Sequence, residues 1–406
     1  HLPMADPESV GMSSERLERL DAAMQRYIDT DQVAGVVTLV ARRGEVVHLK
    51  AQGHRYIEGG NPMSTDDIFV IMSMTKPIVS TALMMLFEEG YFLLDDPISK
   101  YMPEFADKEV VLEVDGGVQR VQADRPITFR HVLTHTAGVD PSRSLLSEEE
   151  QARPRRASTL EETLVGRASM PLAFHPGDEW NYGSSTDYVA LLVERISGQS
   201  LDRFLQERIF DPLGMVDTHY NVPASKVDRV AAVYSPTGPD NTIGLRIAPA
   251  TREQPTQYFG GTAGLSSTAA DYFRFSQMIL NGGELNGARL LSPTTVNLMI
   301  TNHTGELPIY IKGADAYGFG LGFTMLTDPD RSRQAVTPGT FGWGGAYGTV
   351  FWIDPVEDMV SIMMMQMSPY SHFTLRQDFP NLVMQAITES YHSGKQGIRG
   401  YEPIPR

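Results

Sequence analysis

Ser73-Met74-Thr75-Lys76-Pro77 is the stretch on which the reading of this chain turns. A serine and a lysine three positions apart share one helix face, so the Lys76 ammonium can reach the Ser73 hydroxyl. Serine is a weak nucleophile until a neighbouring base or cation activates it, and this spacing is a compact way of doing so. Upstream, Ser64-Thr65-Asp66-Asp67 is turn-like and leads into the apolar run Ile68 to Met72. Downstream, Ile78 to Glu89 is rich in helix formers and stops at Gly90. Proline is tolerated only in a helix's first turn, so Pro77 sets Ser73 at or just before a helix N-terminus. Free backbone N–H groups and the helix dipole favour negative charge there. An N-cap serine before a surface lysine has the same spelling, so the rest of the chain must decide.

With 406 residues, 41% hydrophobic and 21% charged, the chain can bury a large core in two layers or two domains. A net charge of −16 argues against nucleic acid and anionic membrane surfaces as partners. The absence of cysteine excludes disulfides, thiolate catalysis and cysteine-ligated zinc. Met4 reads as the start, with His1 to Pro3 as extra residues. No charged and apolar leader follows, so a cytoplasmic protein is expected unless the chain is a mature form.

Strands are expected at both ends. Ser13-Ser14-Glu15 caps a helix with Leu17, Leu20, Met24, Tyr27 and Ile28 on one face, and strands Gly35–Ala41 and Glu45–Leu49 follow. Near the C-terminus, Tyr317–Phe323, Gly348–Ile353 and Met359–Gln366 read as neighbouring antiparallel strands. A helix from Ala269 to Leu280 and one from Ser292-Pro293 to Met299 precede them, and a last helix over Phe379–Tyr391 precedes a polar tail from Ser393 to Arg406.

Between about Leu93 and Pro249 the text is mostly helical, with one hairpin at Val110–Val114 and Val118–Gln122 and N-caps at Thr128, Ser147 and Thr159. The charged stretch Ser147–Arg156 reads as a solvated loop and helix start, with a lid over the site as the alternative. The pattern predicts an α/β (α+β) fold with an antiparallel sheet built from both termini, flanked by helices. Residues 1–62 and 255–406 would form the α/β domain, and 63–254 an inserted helical domain with the site at the junction.

Two further elements carry chemistry. Tyr182 lies on the loop Phe174–Ser184 before a helix, where a side chain can enter a cleft. A neighbouring ammonium favours the phenolate form of a tyrosine, which could take a proton from Ser73. Phe341-Gly342-Trp343-Gly344-Gly345-Ala346-Tyr347-Gly348 is dense in glycine, so the backbone approaches something closely and can offer an N–H to an oxyanion. A core tyrosine and a tight turn are the plain readings of these two.

Taken in chain order, the three elements resemble the serine β-lactamase and penicillin-binding fold, and within it the family VIII carboxylesterases. Connecting phrases extend the resemblance, among them Leu133-Thr134-His135-Thr136-Ala137-Gly138 and Gly260-Gly261-Thr262-Ala263-Gly264. The resemblance implies Ser73 as nucleophile, Lys76 as activator and Tyr182 as base. It implies the Ser73 and Ala346 N–H groups as oxyanion hole. Trp343-Gly344-Gly345 stands where β-lactamases carry Lys-Thr-Gly, and Ser184 where they carry asparagine. An indole brings one N–H and an apolar face but no charge, which implies loss of carboxylate recognition and a neutral ester substrate. Trp343, Gly344, Gly345, Ser184, Tyr347 and Met74 are the expected substrate-binding residues.

The alternatives are a β-lactamase or D-amino-acid peptidase, an acyltransferase using the same acyl-enzyme, and a non-catalytic binding protein. His131 and His135 have zinc-ligand spacing, but no third ligand accompanies them, so no metal or other cofactor is expected. The expected partner is a small-molecule ester, and nothing in the sequence sets an oligomeric state.

Overall fold

Gly35–Arg42 (β1) is buried at every position, which a strand can be only if helices cover both faces of its sheet. The computed structural model describes residues 2–153, 156–237, 242–249, 255–309 and 316–391 and has that arrangement. Val37, Leu39 and Ala41 face one core and Val36 and Val40 the other, as strand alternation requires. The first core continues into helix Thr75–Glu88 (α2), helix Ser185–Ser197 (α3) and helix Ala269–Leu280 (α4). The second holds helix Ser14–Asp29 (α1) and helix Leu375–Met384 (α5). Leu39 is wholly buried, so truncation to alanine would cost about 2–5 kcal/mol.

Eight antiparallel strands form the main sheet. In spatial order they are Tyr317–Phe319, Thr324–Leu326, Phe341–Gly344, Val350–Asp354, Met359–Met364, β1, Glu45–Tyr56 and Asn61–Pro62. The two ends of the chain meet where β1 pairs with Met359–Met364, Val37 opposite Met364 and Arg42 opposite Met359. Between residues 63 and 254 the described elements are mainly helices, with the expected hairpin at Glu109–Val114 and Gly117–Gln122. The N-caps Ser13, Thr128, Ser147 and Thr159 all accept the backbone bonds expected of them. α2 is buried from Thr75 to Leu86 and packs on α3, so it runs through the interior rather than over a surface.

The structure corrects four sequence expectations. Phe341–Gly344 is itself a strand, and with Thr324–Leu326 it separates the Tyr317 strand from Val350–Asp354. A second hairpin, Val233–Thr237 with Thr242–Ile247, lies in the region read as helical. The last helix starts at Leu375, so Pro380 lies inside it instead of in its first turn. Glu45–Tyr56 runs seven residues past the expected end at Leu49, its pairing with β1 continuing to Gly53. The tail from Ser393 and residue 254, where the domain boundary was placed, lie outside the described residues.

One buried cation ties the termini together. Arg42 is fully buried and ion-pairs with Glu357 at 2.5 Å. Its other N–H groups donate to the carbonyls of Val10, Gly11, Glu357 and Glu389 at 2.7–3.1 Å.

Candidate active site

The short strand Phe69-Val70 pairs with Ser266-Ser267, and the chain then turns sharply into α2. Met72 makes that turn with φ +47, a left-handed conformation that non-glycine residues seldom adopt. A 3₁₀ turn over Met72–Met74 carries Ser73, half-buried, directly onto α2. Pro77 falls in the first helical turn, as the sequence predicts.

Lys76 is 1% exposed and donates to Ser73 Oγ at 3.2 Å and to the Thr262 carbonyl at 2.9 Å. No carboxylate pairs with it among the described residues. The loop that supplies the carbonyl is held in turn. The Thr262 N–H donates to Asp187 Oδ1 at 2.8 Å, and Tyr258 Oη donates to Asp187 Oδ2 at 3.0 Å. Asp187 sits in the first turn of α3, so the tie couples that helix to the orientation of Lys76.

Tyr182 reaches the same place from its loop. The Lys76 ammonium stands 4.5 Å from its ring centroid, over the face, where the ring quadrupole attracts a cation. Trp343 Nε1–H donates to the Tyr182 oxygen at 3.2 Å. The loop is clipped to residues 135–140. Asn181 N–H donates to the His135 carbonyl at 2.9 Å, and the Ser184 N–H and Oγ–H donate to the two Asp140 oxygens at 2.6 and 2.7 Å. Trp180, His135 and Trp343 surround Tyr182 at ring-centroid distances of 6.0, 4.8 and 5.1 Å.

His135 is buried, with φ +60, and desolvation followed by the nearby Lys76 charge holds it well below the ordinary histidine range. It is a neutral packing ring. His131 accepts the Thr128 N–H through Nδ1 in a capping box. The two histidines of zinc-like spacing therefore do separate structural work, and no cluster of three or more metal-ligating side chains occurs among the described residues.

The glycine-rich segment closes a turn at the end of strand Phe341–Gly344. Gly345 N–H donates to the Thr349 carbonyl at 2.8 Å and Gly348 N–H to the Gly345 carbonyl at 3.0 Å. Ala346 N–H has no partner among the described residues, and Ala346 and Tyr347 are exposed and half-buried.

One expected pocket residue is placed otherwise. Met74 is wholly buried in the core, so its side chain lies beneath the site and not on its wall. Ser184, half-buried, bonds Asp140 through both its N–H and its hydroxyl, which ties down the loop that carries Tyr182. Trp343 is more than a wall, since its N–H engages Tyr182. Asp140 and Asp187 were not singled out from sequence, and Thr262 stood only inside a connecting phrase. Their part depends on contacts across 40 residues or more, such as Ser184 with Asp140 and Asp187 with Thr262.

The Beta-lactamase family model matches residues 20–379. The chain belongs to that family. As a β-lactamase-family protein it is 30% identical over 375 residues to Esterase EstB of Burkholderia gladioli, covering 86% of this chain and 90% of that one. It is 30% identical over 380 residues to the lovastatin esterase of Penicillium rubens, covering 86% and 92%. Among solved structures it resembles EstCE1, described as a hydrolase with promiscuous acyltransferase activity. That match has a TM-score of 0.76, 25% identity, and coverage of 92% of this chain and 99% of that one. Among the described residues no helix of this family member is long and apolar enough to cross a membrane.

Proposed function

We propose that this protein is a carboxylesterase of the family VIII type, cleaving small-molecule esters through an acyl-enzyme on Ser73. The observation that carries the reading is the contact of buried Lys76 with Ser73 Oγ at 3.2 Å while its charge stands over the Tyr182 ring. Esterase relatives at 30% identity support the same class. The cleft would lie between an α/β domain (1–62 and 255–406) and a helical one (63–254).

In the proposed cycle Ser73 Oγ attacks the ester carbonyl carbon while its proton passes to the Tyr182 oxygen. Lys76, over the ring, and the Trp343 N–H stabilise negative charge on that oxygen. The Ser73 and Ala346 N–H groups receive the tetrahedral oxyanion; loss of one such donor typically lowers the rate about a hundredfold or more. Collapse breaks the carbon–oxygen bond to the alcohol, which leaves with the proton from Tyr182. Water then attacks the acyl carbon, gives a proton to Tyr182 and releases the acid, and Ser73 regains its hydrogen. Lys76 and Tyr182 act as one coupled pair in this scheme.

Initial rates on 4-nitrophenyl butyrate and nitrocefin, wild type beside Ser73→Ala, test the reading. Fast ester cleavage with little nitrocefin turnover, lost in the variant, is the expected result. Wild-type ester cleavage by Ser73→Ala would overturn the assignment. Nitrocefin turnover matching the ester rate would move the activity to the β-lactamase or peptidase class. A second reading, acyl transfer to an alcohol in place of water, is favoured by the acyltransferase activity attributed to EstCE1. Product analysis with added alcohol separates the two.

A further inference from the structure

At the end of the charged stretch read from sequence stands Arg156. It is exposed, and its guanidinium carbon lies 3.8 Å from the ring centroid of Tyr258. No carboxylate pairs with it among the described residues. A guanidinium over an aromatic face is held by the ring quadrupole and by stacking. The hydroxyl at the other end of Tyr258 donates to Asp187 Oδ2 at 3.0 Å. Burial, and then the Asp187 charge, push that phenol well above its ordinary value, so it stays protonated and donating through the neutral range.

Asp187 passes the contact on. It is 6% exposed, and its second oxygen accepts the Thr262 N–H at 2.8 Å, while the Thr262 carbonyl accepts from Lys76 at 2.9 Å. One residue is thus held at its N–H by Asp187 and at its carbonyl by Lys76. The loop can approach α3 this closely because two glycines precede Thr262. A Cβ on Gly260 would stand 2.7 Å from the Tyr258 ring and 3.2 Å from Asp187 Oδ1, and one on Gly261 would overlap the Thr186 carbonyl. Tyr220 Oη fixes the same loop by donating to the Gly260 carbonyl at 2.7 Å.

A carbonyl aimed at an ammonium favours its charged form, and one free to turn away does so less. We infer, resting on the esterase reading of the same site, that Arg156 and Tyr258 are positioning residues: acting through Asp187, they hold the Thr262 carbonyl on Lys76 and so set the proton affinity of the Lys76–Tyr182 pair. The end of the charged stretch then acts at a remove from substrate, in place of the lid considered from sequence. Lys76 is faced by Ser73, by Tyr182, by the neutral His135 and by the Thr262 carbonyl, and Arg167 is a second cation acting on Tyr258. Loosening the carbonyl lowers the proton affinity of the lysine. The pair then loses its proton earlier, and the alkaline limb of the rate profile moves to lower pH.

The test is the pH dependence of kcat and kcat/KM on 4-nitrophenyl butyrate for wild type, Tyr258→Phe, Arg156→Met, Arg156→Lys and the double variant Arg156→Met/Tyr258→Phe. Tyr258→Phe keeps the ring under Arg156 and removes only the hydroxyl. It should lower kcat roughly tenfold, leave KM within about twofold and displace the alkaline limb downward by about half a unit or more. Arg156→Met should move the limb the same way with a loss of roughly two- to fivefold, and Arg156→Lys should restore most of it. The double variant should be no slower than Tyr258→Phe, because Arg156 acts through that hydroxyl. An alkaline limb unmoved in both single variants would overturn the inference. So would losses that multiply in the double variant, or a rise in KM alone, the mark of a lid over substrate. Arg156 is exposed, so its substitution leaves the fold intact and carries the test should Tyr258→Phe fail to fold.

A wild type that cleaves no ester, with Ser73→Ala no different, sinks the esterase reading instead. The positioning is then judged on Lys76 itself, from the pH midpoint of its Cε resonance in protein carrying isotope-labelled lysine, assigned with Lys76→Met. A midpoint lowered by about half a unit or more in Tyr258→Phe or Arg156→Met sustains it, and an unchanged midpoint rejects it.

Discussion

Arg42 and Lys76 are both cations at the centre of the molecule, and the protein treats them in opposite ways. Arg42 has a carboxylate, Glu357, and four backbone carbonyls around its guanidinium. Lys76 has a carbonyl, a hydroxyl and the face of an aromatic ring. A buried charge with its full set of partners is inert and fixes structure. A buried charge left with neutral partners stays available to whatever negative charge appears nearby. One region uses a cation to join chain ends, and the other, in the proposed cycle, keeps one in reserve for chemistry.

Exchanging each cation for methionine is the most direct way to break this comparison. Lys76→Met should lower ester turnover by three orders of magnitude or more, roughly the loss typical of a group acting in proton transfer. Its melting temperature should match or exceed the wild type's, because an uncompensated buried charge has gone. Arg42→Met should do the reverse, losing about 3–5 kcal/mol of stability because Glu357 is left buried and unpaired, with kcat per folded molecule kept. If chemical denaturation showed equal losses for the two, the distinction drawn here would collapse.

Smaller effects sharpen it. Trp343→Phe keeps the aromatic wall and removes one N–H from the Tyr182 oxygen, so kcat should fall roughly ten- to a hundredfold with little change in stability. A KM effect alone would make Trp343 a wall and nothing more.

The smallest effect concerns a buried anion. Asp67 is wholly buried, and desolvation raises its carboxyl to about 6 from 3.8, against the lowering effect of its bond from the Ser64 N–H. A raised folded-state value means the stabilising contribution is complete below about pH 4 and is lost as pH rises through 6. Asp67→Asn should therefore gain on the wild type between pH 4 and pH 7, read as a melting-temperature difference that grows with pH. A difference that is flat in pH would mean that Asp67 ionises as freely in the folded chain as in the unfolded one.

How much of this was legible follows from the range of each contact. Ser73 and Lys76 are one helical turn apart, so their meeting follows from helix geometry and the position of Pro77. The capping boxes at Ser147 and Thr159 are equally local and stand where the spelling puts them. Arg156 could not be read in the same way. It meets Tyr258 only because the loop before Gly260 folds back onto the first turn of α3, whose place is set elsewhere in the chain. The last helix was misplaced for a local reason: a proline usually marks a first turn, and Pro380 instead sits in the helix interior, leaving the Arg376 carbonyl without its usual donor. The glycine-rich segment was read for a close backbone approach and a free N–H, with a tight turn as the plain alternative, and not as a strand, because its four glycines give no alternating pattern. Tertiary pairing on both sides makes Phe341–Gly344 a strand.

The joining of β1 to Met359–Met364 also has a consequence in time. During synthesis the hairpin of Gly35–Arg42 and Glu45–Tyr56 is finished early, while the strand that completes its edge is made about three hundred residues later. Until then β1, apolar but for Thr38 and Arg42, is unpaired along one edge, and the Arg42 guanidinium has no Glu357 to meet. Assembly of the sheet waits on the last quarter of the chain, so refolding should be slow and concentration-sensitive, as for other sheets closed by distant segments. A ribosome-bound fragment ending before Met359 lacks both the strand that joins the two halves of the sheet and the helix α5 that packs on it.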